Sequence, residues 1–340
     1  MGSSSDSEPC LFPADILKSL LPPILLVEFV FGLLGNGMAL WVFCFHMKSW
    51  KPSTILLANL AVADFLLIIC LPFRTEYYLR EKNWVHGDPS CRIILFMLAM
   101  NRVGSIVFLT AVALDRYFRV VHPHHRINSL SNRMAVLVAA SMWVLSVAVT
   151  AKLLTETHLY NSTKTASNMA SWHCDSFGIY PKNKWGEWQD SLFIAEFCLA
   201  LCIIFYCTYQ IIYQLKRRQL NRENKIRKAV KFIFAVAVVF LLSFLPSVAS
   251  RIHVRVLLLS HNECNDFEKV DRMFYITVCL TYFNSALDPL VYYFSSPTFK
   301  QFYKNIIHFQ KPQPANSSNS AGRDLSIDID ASRTQSVVYL

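Results

Sequence analysis

The sequence predicts an all-α membrane protein, a seven-transmembrane helix bundle with a short amphipathic eighth helix. Of the 340 residues, 54% are hydrophobic and only 16% are charged, whereas a soluble domain is usually about 25% charged. The hydrophobic residues also fall into seven runs, each long enough for the roughly 20 residues that a helix needs to cross a bilayer. These runs cover approximately residues 22–46, 53–79, 91–121, 133–156, 188–215, 226–257 and 270–294.

Basic residues are concentrated in the connections on one side of the predicted bundle. They follow the first span, lie between the third and fourth, crowd the fifth-to-sixth connection and follow the seventh. Because cytoplasmic loops are enriched in Lys and Arg, this side is predicted to be cytoplasmic and the N-terminus extracellular. The net charge of +10 therefore indicates membrane topology, and no nucleic-acid partner is expected.

The same pattern divides the chain into three segments. Residues 1–21 are predicted to form an extracellular N-terminal tail. Residues 22–306 contain the seven spans and the start of the stretch 298–309. In this stretch aromatic and aliphatic residues recur at helical spacing, with lysines between them. Such a helix lies on the membrane surface, so we expect it to contact membrane lipid. Residues 307–340 are rich in Ser, Asn and Asp and are predicted to be a disordered cytoplasmic tail.

Polar residues and helix breakers recur at particular depths in the spans. Asp115-Arg116-Tyr117 closes the third span, where a charged triplet could also be a plain interfacial anchor. The remaining members of the pattern are Asn36, Asp64, Trp143, Pro246 and the segment Asp288-Pro289-Leu290-Val291-Tyr292. In this combination the chain resembles the rhodopsin-like G-protein-coupled receptors over about residues 22–306.

The resemblance implies that Asp115, Arg116 and Tyr117 couple the protein to a heterotrimeric G protein, with Arg116 held by Asp115 at rest. It also implies an allosteric sodium ion near mid-membrane, and no other cofactor is expected. The oxygens for this ion would come from Asp64, Ser105, Asn284, Ser285 and Asp288. The alternative is a protonated Asp64 in a hydrogen-bond network, because an unpaired carboxylate at this depth is costly.

A closer resemblance lies in the third span and the loop after it. The segments that carry it are Leu95-Phe96-Met97-Leu98-Ala99-Met100-Asn101-Arg102, Val120-Val121-His122-Pro123-His124-His125, Leu71-Pro72-Phe73 and Phe294-Ser295-Ser296-Pro297. They resemble the hydroxycarboxylic acid receptors and their relatives, the oxoeicosanoid receptors. The implied function is a plasma-membrane receptor for an organic carboxylate that acts through an inhibitory G protein to lower cyclic AMP. A small hydroxycarboxylic acid such as lactate is the expected ligand, with an oxidised fatty acid as the alternative.

Arg102 is the expected anchor for this carboxylate. It lies about 14 residues before Arg116, and a rise of 1.5 Å per residue places it roughly 21 Å from the inner surface. An arginine at this depth costs about 2.5–3.5 kcal/mol, so it must face water, an anion or an acid such as Glu196 or Glu76. A guanidinium binds a carboxylate through two parallel hydrogen bonds. The resemblance places Arg102 on the carboxylate-binding arginine, and it assigns further pocket roles to Arg251, Tyr282 and Ser176.

Four cysteines fall on the predicted external side. The resemblance implies a Cys91–Cys174 disulfide that pins the second external loop over the pocket. Cys10 and Cys264 are then left outside the membrane, where cysteine pairs tend to oxidise. A Cys10–Cys264 bridge is therefore predicted, with two free thiols as the alternative. In the same external loop, Asn161 begins an Asn-Ser-Thr glycosylation acceptor.

Other functions have less support in the sequence. An organic-anion transporter or channel could also use an intramembrane arginine, but the repeated halves typical of transporters are not visible. No catalytic constellation is recognisable, so an enzyme is not expected. His122, His124 and His125 bracket a proline and predict a solvated turn, with no structural metal. Serine and threonine residues in the tail predict phosphorylation that would recruit arrestin.

Overall fold

The structure is a computed structural model. It describes residues 15–47, 49–163, 170–175, 184–217, 223–259, 264–295 and 298–303. Cys10, Ser176 and the predicted tail 307–340 lie outside the described residues. The Cys10–Cys264 bridge, the role of Ser176 and the phosphorylation of the tail therefore stay predictions.

Within the described ranges the chain forms seven long helices. Their bounds are α1 Asp15–Phe45, α2 Pro52–Leu79, α3 Gly87–Val121, α4 Asn132–Thr150, α5 Lys184–Arg217, α6 Glu223–Leu259 and α7 Cys264–Ser295. A 3-10 turn at Arg126–Ser129 and a helical turn at Lys152–Thr155 lie in the connections, and residues 298–303 are helical. The predicted seven-helix fold is confirmed.

Hydropathy marks the membrane-crossing part of each helix better than its ends. Helix α1 begins at Asp15, earlier than the span predicted from residue 22. The predicted fourth span, 133–156, is divided between α4 and the turn Lys152–Thr155. Helices α1 to α6 contain stretches long and apolar enough to cross a membrane, but α7 is not among them. Its Asn284, Ser285 and Asp288 are buried against other helices, so they lower its hydropathy without facing lipid.

A short β-hairpin that was not predicted from the sequence lies between α4 and α5. Strand β1, Leu159–Thr163, pairs antiparallel with β2, Ala170–Cys174. The backbone N–H of Trp84 donates to the Trp172 carbonyl at 2.7 Å and joins the hairpin to the α2–α3 loop. Asn161 is exposed, as a glycosylation acceptor must be.

Helices α1 and α7 approach each other closely at Gly35. A Cβ atom placed on Gly35 would overlap the Pro289 ring, which lies on α7. By contrast, a Cβ on Gly37 meets nothing within 4 Å. Glycine at position 35 is therefore required by packing, whereas glycine at position 37 is not.

Gly35→Ala is expected to lower the free energy of unfolding by about 1–3 kcal/mol, the usual cost of overpacking a close contact. The matched control is Gly37→Ala in the same helix. It should not destabilise the protein, since alanine favours helix over glycine by about 1 kcal/mol. Thermal unfolding of the purified protein in detergent measures both effects. Equal melting temperatures for the two variants would contradict the packing assigned to Gly35.

Candidate functional site

A cavity of about 60 Å³ lies between the helices near the end of the bundle that carries the hairpin. We call it the arginine cavity. Its charged and hydroxyl-bearing lining residues are Arg74, Arg102, Arg251, Asp175, Asp190, Tyr275 and Tyr282. Three of the four predicted ligand residues therefore line one cavity, and the fourth, Ser176, lies outside the described residues.

Arg102 enters this cavity from α3. Its guanidinium carbon lies 4.4 Å from the centre of the Phe193 ring, and its Nε is buried without a hydrogen-bond partner. The sequence is also compatible with a pairing of Arg102 with Glu196 or Glu76. Among the described residues, Glu76 binds Arg80 and His86, and no ion pair reaches Arg102. An aromatic face therefore meets its positive charge at short range, while the carboxylates of Glu196 and Asp190 attract it from beyond ion-pair distance.

Arg251 in α6 has a carboxylate partner that the sequence analysis missed. Asp190 of α5 forms a buried ion pair with Arg251, and it also lies 3.7 Å from the more exposed Arg255. The Arg251 guanidinium is flanked by the rings of Phe193 and Phe274, at 5.1 and 4.9 Å from their centres. No motif marks Asp190 in the sequence, because its pairing depends on how α5 and α6 pack.

A second buried ion pair fixes the end of β2 over the cavity. Arg74 of α2 lies 3.5 Å from Asp175, and both side chains are less than 5% exposed. Arg74 also donates to the Cys174 carbonyl at 3.0 Å. The hydroxyls of Tyr77 and Tyr275 donate to Asp175 at 2.8 and 2.9 Å. Together with the Cys91–Cys174 disulfide, which is present as predicted, these contacts join β2 to α2, α3 and α7.

Asp64 is the centre of a buried hydrogen-bond cluster at mid-bundle. Its Oδ1 accepts from Ser285 Oγ at 2.8 Å and from Asn101 Nδ2 at 3.3 Å, and its Oδ2 accepts from Tyr292 OH at 3.1 Å. Asn36 binds the Ser285 carbonyl at 2.7 Å and so links α1 to α7. Asp64 and Ser285 were predicted for this region, whereas the hydrogen bonds from Asn101 and Tyr292 to the Asp64 carboxylate were not.

The same region contains oxygens suited to a hard cation, which prefers oxygen ligands. Ser105 Oγ, Asn284 Oδ1 and Asp288 Oδ1 are buried and have no hydrogen-bond partner among the described residues. Asn284 donates its amide to the other Asp288 oxygen at 2.9 Å. The residues present therefore fit the predicted sodium ion. The hydrogen bonds to Asp64 also fit the alternative of a protonated carboxyl.

The Asp115-Arg116-Tyr117 segment lies at the opposite end of α3. Asp115 Oδ2 is 3.8 Å from Arg116 Nε, so the expected pairing exists only as a long ion pair. The hydrogen-bond partners of Asp115 are instead Arg119, at 2.9 and 3.0 Å, and Ser53, at 2.9 Å. Residues four apart on a helix face each other whereas adjacent ones do not. Arg116 itself donates to Ser295 Oγ at 2.9 Å.

Seven long helices, a polar cluster at mid-bundle and a cavity near one end, all within the described residues, define the class of the protein, a multi-pass membrane protein. The chain belongs to the rhodopsin family of seven-transmembrane receptors, because the "7 transmembrane receptor (rhodopsin family)" model matches residues 35–292. The protein is thus a receptor and not an enzyme.

Within this family, the chain is similar to hydroxycarboxylic acid receptors and to an oxoeicosanoid receptor. Human hydroxycarboxylic acid receptor 3 is 47% identical over 96% of this chain and 83% of its own length. Human hydroxycarboxylic acid receptor 1 is 47% identical over 94% of this chain and 89% of its own length. Human oxoeicosanoid receptor 1 is 36% identical over 84% of this chain and 72% of its own length. The resemblance to both groups of receptors is confirmed.

Asp175→Asn is expected to destabilise the receptor by about 3–5 kcal/mol, because it removes one partner of a buried ion pair. Lys18→Gln provides the contrast. Lys18 and Glu81 form an ion pair with side chains 47% and 42% exposed, and such surface pairs contribute about 0–1 kcal/mol. Thermal unfolding in detergent should separate the two variants clearly. An Asp175→Asn protein as stable as Lys18→Gln would contradict the anchoring role of Asp175.

Proposed function

We propose that this protein is a plasma-membrane receptor for a small organic carboxylate, with its N-terminus outside the cell. The observation that carries the proposal is Arg102, which lines the arginine cavity, has a buried Nε without a hydrogen-bond partner and has no carboxylate within ion-pair distance among the described residues. A ligand carboxylate would supply the missing counter-charge.

The chemistry of the cavity supports an anion as the ligand. Burying a guanidinium without a counter-ion costs free energy, because the charge loses its hydration and the interior of low dielectric does not replace it. A carboxylate can accept two parallel hydrogen bonds from one guanidinium, and a lysine cannot reproduce this geometry. Tyr282 of α7 lines the same cavity. We propose that Arg102 anchors the carboxylate, while Tyr282 and Ser176 donate further hydrogen bonds.

The volume of the cavity favours a short ligand. At about 60 Å³, it is far smaller than the roughly 300–1,000 Å³ of pockets that enclose drug-sized molecules. A small hydroxycarboxylic acid such as lactate fits this space better than the long chain of an oxidised fatty acid. Arg251 lines the same cavity, and we propose that it supports the hydroxyl or oxo end of the ligand.

Signalling would take place at the other end of the bundle. We propose that Asp115, Arg116 and Tyr117 couple the receptor to inhibitory G proteins, which lower cyclic AMP, and that the phosphorylated tail recruits arrestin. Asp64, Ser105, Asn284, Ser285 and Asp288 would hold a sodium ion. The positive charge of that ion would compensate for the two buried carboxylates.

The test is a panel of carboxylates of increasing chain length, with lactate as the first probe, read as suppression of cyclic AMP. Arg102→Ala should raise the half-maximal concentration of an active acid at least tenfold. A charge-assisted hydrogen bond contributes roughly 1.5–3 kcal/mol, and about 1.4 kcal/mol corresponds to a factor of ten. Arg102→Lys should recover little of this loss.

Two controls complete the experiment. The variants are compared at matched surface expression, and the methyl ester of the active acid replaces the acid in parallel wells. An Arg102→Ala receptor that responds like the parent would show that Arg102 is not the anchor. An ester as potent as its acid would show that the carboxylate is not the recognised group.

A further inference from the structure

A second cavity, of about 600 Å³, lies at the opposite end of the bundle, beside Arg116. We call it the inner cavity. It is far larger than the arginine cavity and falls within the roughly 300–1,000 Å³ of pockets that enclose small molecules. Its described lining comes from α1, α2, α3, α7, the α1–α2 connection and the helical segment 298–303, and includes no residue of α5 or α6.

The lining of the inner cavity is basic. It includes His46, Lys51, Arg116 and Arg119, and no carboxylate is among its described residues. In the part of the chain that the structure describes, Asp115 is the one carboxylate that pairs with any of these cations. It binds Arg119 at 2.9 Å and lies 3.8 Å from Arg116. The positive charge therefore exceeds what this single acid compensates, which suits a ligand with more than one negative charge.

Lys51 is the cation of this lining that the protein compensates least. It is the N-cap residue of α2, and its exposed side chain makes no capping hydrogen bond. A cation at this end of a helix is unfavourable, because the N-terminal end of the helix dipole is itself positive. An anion bound beside Lys51 would interact favourably with both the ammonium group and the dipole.

Exposed aromatic residues place the inner cavity near the membrane surface. Trp41 and Phe45, close to the end of α1, are 54% and 70% exposed, and their ring centres are 4.4 Å apart. Trp50 is 41% exposed and lies 6.3 Å from the ring of Phe43, which lines the cavity. Because tryptophan is enriched at the interface between membrane and water, we infer that the cavity lies at the level of the lipid head groups.

We propose that the inner cavity binds the phosphorylated inositol head group of an anionic lipid in the cytoplasmic leaflet. This inference goes beyond the proposed function and takes from it only the orientation of the bundle in the membrane. The phosphates would lie against Lys51, Arg116 and Arg119, and the acyl chains would extend outside the bundle along Trp41 and Phe45. Basic pockets between transmembrane helices on the cytoplasmic side suit such head groups.

The experiment measures the binding of fluorescent phosphatidylinositol bisphosphate to the purified full-length receptor in uncharged detergent micelles. The lipid should bind about tenfold more tightly, or more, than phosphatidylserine with the same acyl chains, because the extra phosphates meet the excess of positive charge. Lys51→Gln should weaken its binding about fivefold, the effect expected of one lysine beside an anionic lipid. Ser49→Trp should also weaken it, since Ser49 lines the cavity and the larger side chain fills space without changing any charge.

The matched control is Arg126→Gln. Arg126 is exposed in the connection between α3 and α4 and does not line the inner cavity, so this variant loses the same charge and should keep the parent affinity. Equal losses in Lys51→Gln and Arg126→Gln would indicate a general attraction of the basic face and would overturn the inference. Equal affinity of the parent receptor for the two lipids would do so without any variant. Lys51 and Ser49 are both exposed, so parent-like melting temperatures are expected for their variants.

Two further arms identify what the cavity binds. Soluble inositol trisphosphate has the same head group without acyl chains and should compete only at much higher concentration. If it competes as well as the lipid, the assignment to a lipid is wrong. If the lipid does not bind, and a C-terminal peptide of an inhibitory G-protein α subunit binds in a way that Lys51→Gln weakens, the cavity belongs to the G-protein interface and the inference fails. These measurements use no carboxylate ligand, so their failure leaves the proposed function untouched.

Discussion

An ionised side chain inside a membrane-spanning bundle is stable only when another group compensates for its charge, and this constraint governs the polar interior of the receptor. Asp64 receives three side-chain hydrogen bonds from α3 and α7. Asp175 and Asp190 each neutralise an arginine. Arg102 departs from this rule within the described chain, because an aromatic ring contacts its guanidinium and no carboxylate lies within ion-pair distance, although Glu196 and Asp190 attract its charge from further away. We therefore interpret the cavity around it as a site for an anion.

The positions of these groups bring the cavity close to the hydrogen-bond cluster of Asp64. On α3, Arg102 lines the cavity while the adjacent Asn101 donates to Asp64. On α7, Tyr282 lines the cavity, and Ser285, less than one helical turn further along, also donates to Asp64. A ligand that draws Arg102 and Tyr282 together would thus act on residues next to the donors of Asp64. We propose that the effect of ligand binding is transmitted through these neighbouring residues along α3 to Arg116.

Sequence patterns predicted the helices and the residue types of the site, but they did not predict which charges are compensated. Long apolar runs and intramembrane polar residues indicate the depth of a side chain, so Asp64 and Arg102 could be named from the sequence, whereas Tyr282 was named only through the resemblance. The partners of Arg74 and Arg251 depend on contacts between distant helices, and no spacing encodes them. Asp115 shows the same limit. Its neighbour Arg116 was the expected partner, but Asp115 binds Arg119, because residues four apart on a helix face each other. The hairpin was missed because its strands are short and lie in a polar loop.

The central claim is that Arg102 binds the carboxylate of the ligand. The most direct test is an experimental structure of the receptor bound to an active short-chain carboxylate. Our account predicts that both carboxylate oxygens lie within hydrogen-bond distance of the Arg102 guanidinium, while the Arg74–Asp175 and Arg251–Asp190 pairs stay intact. A carboxylate bound elsewhere, with Arg102 paired to an acid of the protein, would contradict it.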